Sequence, residues 1–146
     1  MTITNMTSTH VAQIAELEKC CFNDPWSENS IASELNNRLS CWLVALDGDV
    51  VIGYVGSQSV LGETDMMNIA VHPGYRNQGV ATELINTLID KLSKRGSHSL
   101  MLEVRQTNEA AKNLYMALGF ETVGIRKNYY RNPREDALIL RKEWSL

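Results

Sequence analysis

The segment Asn68-Ile69-Ala70-Val71-His72-Pro73-Gly74-Tyr75-Arg76-Asn77-Gln78-Gly79-Val80-Ala81-Thr82 constrains this chain more than any other. An apolar run of strand character, Thr64 to Val71, enters a Pro/Gly turn. A basic and polar loop, His72 to Gln78, then opens into a long helix with Leu84, Leu88 and Leu92 on one face and Gly96 suited to its C-terminal stop. Leu100 to Val104 follows as a second strand. A strand, a helix and another strand in this order imply a right-handed crossover between parallel strands, so the middle of the chain predicts an α/β sheet.

The flanks supply the remaining elements. Ile3 lies in a short Thr-rich strand. Val11, Ile14, Leu17 and Cys21 recur at helical spacing. Phe22-Asn23-Asp24-Pro25-Trp26-Ser27 ends that helix, because the residue before a proline is pushed out of helical geometry. Ser27 can cap a second helix, with Ile31 and Leu35 expected on its buried face. Cys41 to Leu46 and Val50 to Val60 read as a hairpin about Asp47-Gly48. Asn108 to Leu118 reads as a helix stopped by Gly119, and Glu121 to Tyr129 with Ala137 to Arg141 as a closing antiparallel pair. The expected order is βααβββαβαββ, in an α/β (α+β) domain of three layers. Its central sheet is mixed and mostly antiparallel, with helices on both faces.

Composition narrows the function. Hydrophobic residues make up 44% and charged residues 21% of 146 positions, values of an ordinary globular chain that can bury a core. No apolar run approaches the roughly 18 residues of a membrane span, and the N-terminus has no basic start followed by an apolar stretch. The expectation is a cytoplasmic protein without a membrane partner. A net charge of −3 argues against direct nucleic-acid binding and permits a cationic acceptor such as an amine. Cys20, Cys21 and Cys41 form neither a disulfide framework nor a C-x-x-C metal site, so free thiols and no metal are expected. His72 is expected to be a solvated loop residue.

The loop before the long helix has the chemistry of a phosphate cradle. The first turn of a helix offers unpaired amide hydrogens and a partial positive charge, and together these hold anions. Gly79 and Ala81 lack the bulk that would keep a diphosphate from the backbone, and Arg76 can add charge. The spacing is neither a Walker loop nor a dinucleotide G-x-G-x-x-G. On its own terms the segment also reads as an ordinary strand-to-helix turn.

Arg76-x-x-Gly79-x-Ala81 resembles the acyl-coenzyme A signature [QR]-x-x-G-x-[GA] of the GNAT superfamily of N-acetyltransferases. The similarity continues along the chain in Phe22-x-x-Pro25-Trp26-Ser27, Asn68-Ile69-Ala70-Val71, Leu102-Glu103-Val104-Arg105, Asn108-x-x-Ala111-x-x-Leu114-Tyr115-x-x-Leu118-Gly119-Phe120, and Asn128-Tyr129-Tyr130 with Glu135-Asp136-Ala137. Together these resemble the ribosomal-protein-alanine N-acetyltransferases. The resemblance implies one N-acetyltransferase domain over residues 1–146 that takes acetyl-coenzyme A as co-substrate. Its acceptor would be a protein N-terminus, the N-terminal alanine of a small-subunit ribosomal protein. It further implies that the backbone of Ile69, Ala70 and Val71 pairs with the pantetheine arm. Arg76, Asn77, Gln78, Gly79, Val80, Ala81 and Thr82 would hold the diphosphate, and Asn108 would reach the cofactor near the thioester.

Acetyl transfer to an amine needs a base to uncharge the ammonium, donors for the developing oxyanion and an acid for the leaving thiolate. Glu103 sits inside the apolar strand Leu100-Met101-Leu102-Glu103-Val104, where partial loss of water suits a carboxylate to act as the base; a structural ion pair is the competing reading. Tyr115 matches the family's acid and is otherwise a core aromatic. Asn108 can equally cap its helix. Tyr129, Tyr130 and, by resemblance, Trp26 would line the acceptor groove, against plain packing on the sheet. The same cofactor motifs would serve a small-molecule amine acetyltransferase or a non-catalytic acetyl-coenzyme A-binding module, and the sequence leaves the oligomeric state open.

Overall fold

The computed structural model describes residues 1–145. Its elements are β1 (Thr2–Asn5), α1 (Val11–Cys21), α2 (Glu28–Ser33), β2 (Ser40–Asp47), β3 (Val50–Val60), β4 (Glu63–Val71), α3 (Val80–Lys94), β5 (Ser99–Arg105), α4 (Glu109–Ala117), β6 (Glu121–Tyr130) and β7 (Glu135–Glu143). This is the order expected from the sequence, with short 3-10 turns added at Ser8–His10, Glu34–Asn36 and Pro73–Tyr75. The strands form one sheet in the order β1-β2-β3-β4-β5-β7-β6. Only β4 and β5 run parallel; every other pair is antiparallel.

The alternation of strand side chains sorts the core into two layers. Cys41, Leu43 and Ala45 of β2 pack with Leu84, Leu88 and Leu92 of α3, with Leu100, Leu102 and Val104 of β5, and with Tyr115 of α4. Trp42 and Val44, from the opposite face of β2, pack with Val11, Ile14 and Leu17 of α1 and Ile31 of α2. Helices therefore cover both faces of the sheet. The predicted helix ends are in place: Ser27 Oγ accepts the Ser30 amide at 3.1 Å to cap the start of α2, and Gly96 takes a φ of +87° just after α3. One expectation fails. Ile31 is fully buried, but Leu35 is 38% exposed, because α2 ends at Ser33 and a 3-10 turn rotates Leu35 off the apolar face.

The functional geometry comes from the middle of the sheet. β4 and β5 pair only at Glu63↔Ser99, Thr64↔Leu100 and Asp65↔Met101; past these positions they diverge. A bulge accompanies the divergence. Gly56 and Ser57 of β3 face Asn68 and Met66 of β4, leaving Met67 as the extra residue, and an extra residue bends a strand away from its neighbour. Five residues later the His72 amide donates to the Ile52 carbonyl at 2.8 Å. Residues of that parity turn their backbone groups to β3, so those of Ile69 and Val71 face the gap toward β5.

Candidate active site

Beyond the divergence lies a cleft of about 990 Å³. One wall is β4, with Met66, Met67, Asn68 and Ile69; another is β5, with Leu102, Glu103, Val104 and Arg105. Cys21, Phe22, Asn23, Asp24 and Trp26 come from the end of α1 and the following loop, Asn108, Ala111 and Tyr115 from α4, and Tyr129 to Asn132 from the β6–β7 hairpin. Glu103, Tyr115, Asn108, Ile69, Trp26, Tyr129 and Tyr130 are thus brought together, although they are far apart in the chain. Ala70, Val71 and the loop Arg76 to Thr82 are not among the residues lining this cleft; the loop continues from the end of β4.

Glu103 alternates with buried Leu102 and Val104 and faces the α1–α2 side, with its side chain 23% exposed. Arg126 of β6 pairs with it, Nε to Oε1 at 3.3 Å. The carboxylate is therefore both a cleft wall and half of an ion pair. Tyr115 also fulfils both of its readings. Its ring is buried edge-on against Phe120, with centroids 5.5 Å apart, and the residue lines the cleft. Burial, with the neighbouring Tyr130 phenol, pushes the Tyr115 hydroxyl up to about 12. Tyr130 is pushed up to about 12 as well, by burial first and then by Tyr129 and Glu103. Both phenols keep their protons at neutral pH. Asn108 caps α4, its Oδ1 accepting the Ala111 amide at 3.1 Å.

The hairpin that carries the tyrosines is held by Arg105, which the sequence did not single out as a site residue. Its guanidinium donates to the carbonyls of Arg131 at 3.1 Å and Pro133 at 3.0 Å, pairs with Glu135 at 3.2 Å, and lies 4.3 Å from the Tyr130 ring centroid. Hydrogen bonds from Thr107, assisted by Arg105, hold the Glu135 carboxyl below its usual range. On the facing wall, Asn23 Nδ2 donates to the Asn132 carbonyl at 2.8 Å, joining the α1–α2 loop to the hairpin.

The residues expected to hold a coenzyme fit one. Gly79 has a φ of +81°, and a Cβ built on it would meet nothing within 4 Å, so the approach to the first turn of α3 is open. No side chain caps that turn, which leaves its amides to an anion. Asn77 shares the left-handed conformation, with φ of +62°. Gln78 Nε2 donates to the Gly74 carbonyl at 3.5 Å. Arg76 is exposed; its Nε donates to the Val71 carbonyl at 3.3 Å and its Nη2 contacts Cys21 Sγ at 3.6 Å. On the gap-facing edge of β4, the Ile69 amide donates to Asn68 Oδ1 at 3.2 Å. His72 is exposed, and its Nδ1 accepts the Gly74 amide at 3.0 Å. Among the described residues, no group of His, Cys, Asp or Glu side chains is arranged to hold a metal, and no helix is long and apolar enough to cross a membrane.

Residues 11–120 match the acetyltransferase (GNAT) family. The chain is 39% identical over 141 residues to the [ribosomal protein bS18]-alanine N-acetyltransferase of Escherichia coli, covering 95% of each. Among solved structures, it resembles the ribosomal-protein-S18-alanine N-acetyltransferase from Escherichia coli with a TM-score of 0.91 at 37% identity, over 99% of this chain and 94% of that one. An aminoglycoside 6'-N-acetyltransferase complexed with coenzyme A shares the fold, with a TM-score of 0.84 at 18% identity, over 98% and 97% of the two chains.

Proposed function

The chain belongs to the acetyltransferase (GNAT) family, and on that premise we propose that it transfers acetyl from acetyl-coenzyme A to the N-terminal α-amine of a protein, with the N-terminal alanine of a small-subunit ribosomal protein as acceptor. The observation that carries this reading is the divergence of β4 from β5. It turns the Ile69 and Val71 backbone toward the gap, where Ile69 shares the cleft with Glu103 and Tyr115. The near full-length similarity to the Escherichia coli enzyme supports the choice of acceptor.

Acetyl-coenzyme A supplies an activated acyl carbon and a thiolate leaving group. The chain's own residues divide the remaining work. The Ile69 carbonyl and the Val71 amide, the gap-facing groups that Asn68 and Arg76 leave open, hold an extended amide-bearing arm much as a neighbouring strand would, while the first turn of α3, from Gly79 to Thr82, with Arg76, Asn77 and Gln78 beside it, holds a diphosphate. Asn108, at the mouth of α4, borders the reacting end. Glu103 accepts the ammonium proton, directly or through a water, so that the amine attacks uncharged. Tyr115, protonated at neutral pH, gives its phenolic proton to the departing sulfur.

The acceptor enters between Trp26 and the Tyr129–Tyr130 pair, whose rings meet edge-on at 5.1 Å. The Asn23–Asn132 bond joins the two walls of this entrance, which favours a chain end over a side chain presented from a continuous backbone. Incubation with acetyl-coenzyme A and peptides beginning in alanine should release free thiol and add one acetyl group at the α-amine. Acetylation of small amines with no transfer to any N-terminal peptide would reassign the enzyme to small-molecule acceptors.

A further inference from the structure

The deepest charged side chain lies outside the machinery described above. Glu18 of α1 is fully buried. Its carboxylate accepts from the Tyr54 hydroxyl at 2.7 Å, from Asn68 Nδ2 at 2.9 and 2.8 Å, and from the Trp26 amide at 3.3 Å. All of these donors are neutral. A carboxylate taken out of water is costly unless its lone pairs are met, and here donors from three other segments meet them. Each donor belongs to a different part of the cleft's frame: Trp26 to the α1–α2 loop, Tyr54 to β3, and Asn68 to the bulged stretch of β4.

The network fixes orientations as well as positions. With its amide nitrogen committed to Glu18, Asn68 must turn its oxygen the other way, and that oxygen accepts the Ile69 amide. Trp26 is gripped twice, through its backbone by Glu18 and through its ring, which meets Trp42 edge-on at 5.4 Å. Trp42 in turn stacks on Tyr54 at 5.9 Å, with the two planes 6° apart. One buried anion therefore ties the acceptor wall at Trp26 to Asn68 at the bulge, while the Ile69–Val71 stretch is held separately by its ladder with β3.

We infer that Glu18 is a positioning residue for acetyl transfer, setting the acceptor wall at Trp26 against the bulge at Asn68 through a shared buried carboxylate. The inference rests on the proposed function in taking the Trp26 loop as the acceptor wall. Glu18→Gln keeps the volume but replaces one carboxylate oxygen with an amide nitrogen, which then faces the Asn68 amide together with either the Trp26 amide or the Tyr54 hydroxyl. It should raise the peptide KM about tenfold, the equivalent of roughly one lost buried hydrogen bond, with the KM for acetyl-coenzyme A and kcat within about twofold. Adding Asn68→Asp to Glu18→Gln restores a donor facing an acceptor, and the Ile69 amide keeps its partner, so the peptide KM should recover most of the loss. A purely structural role would lower the melting temperature and total activity without this split or rescue, and that result overturns the inference. Hydrogen exchange gives a reading independent of turnover: the Trp26 amide should exchange about tenfold faster in Glu18→Met, which keeps the bulk but offers no oxygen to that amide. An unchanged rate at Trp26 refutes the positioning role even if the wild-type protein acetylates no peptide, an outcome that separately refutes the proposed function.

Discussion

Arg126 of β6 lies across β7 from β5 and brings its Nε within 3.3 Å of the Glu103 carboxylate. With Arg126 half exposed, such a pair adds no more than about 1 kcal/mol to stability, so its effect is to orient the carboxylate. Arg126→Ala should leave the melting temperature nearly unchanged and lower kcat a few-fold. Glu103→Gln should lower kcat by about 10²-fold or more, with coenzyme affinity preserved. Thiol release at saturating peptide measures both. Parental turnover in Glu103→Gln would leave Glu103 with the ion pair alone.

Tyr115 makes a prediction in pH as well as in rate. Tyr115→Phe keeps the edge-on packing on Phe120 and removes the proton, so kcat should fall about 10²-fold with little change in coenzyme affinity. An unfolded phenol titrates near 10 and the folded Tyr115 near 12. A raised folded-state pKa gives stability that is complete below pH 10 and is lost as pH rises toward 12. Urea midpoints followed across that alkaline range should therefore decline less steeply in Tyr115→Phe. The slope that remains belongs to the other groups raised in the fold, Tyr130, Tyr54, Cys41 and Cys21 chiefly by burial and Tyr75 by its bond to Asp47.

The loop before α3 separates binding from chemistry. A side chain at Gly79 would project into open space, so Gly79→Asp clashes with nothing and costs about 1 kcal/mol of left-handed strain. It also sets a carboxylate against the amides meant for phosphate. Coenzyme A affinity, followed by calorimetry, should drop at least about tenfold, one lost charge-assisted contact, while the fold survives. Arg76→Ala should weaken binding by a smaller factor. Unaltered affinity in Gly79→Asp moves the diphosphate elsewhere.

What the sequence made legible was local. The recurrence of Leu84, Leu88 and Leu92, the Ser27 and Asn108 caps and the apolar strand around Glu103 are each set by residues within one element, and each appears as read. The divergence of β4 from β5 and the Arg126–Glu103 pair depend on register between strands distant in the chain, which no local period encodes. Leu35 misled because its helix ends two residues earlier than the apolar spacing suggests. Glu18 could have been found. It stands at the spacing of Val11 and Ile14 on the apolar stripe of α1, and a carboxylate there requires buried donors from elsewhere in the fold.

Arg105 tests how far the acceptor site depends on a rigid hairpin. Its planar guanidinium reaches the Arg131 and Pro133 carbonyls and Glu135 at once while lying over Tyr130. A lysine ammonium has neither the fork nor the flat face to do this. Arg105→Lys should therefore loosen residues 131–135 and raise the peptide KM by roughly tenfold, the loss of one to two hydrogen bonds. The KM for acetyl-coenzyme A should hold, because the gap-facing strand and the α3 loop lie on other walls. Initial rates with each substrate varied in turn make the comparison, and equal rises in both constants would place Arg105 in support of the whole cleft.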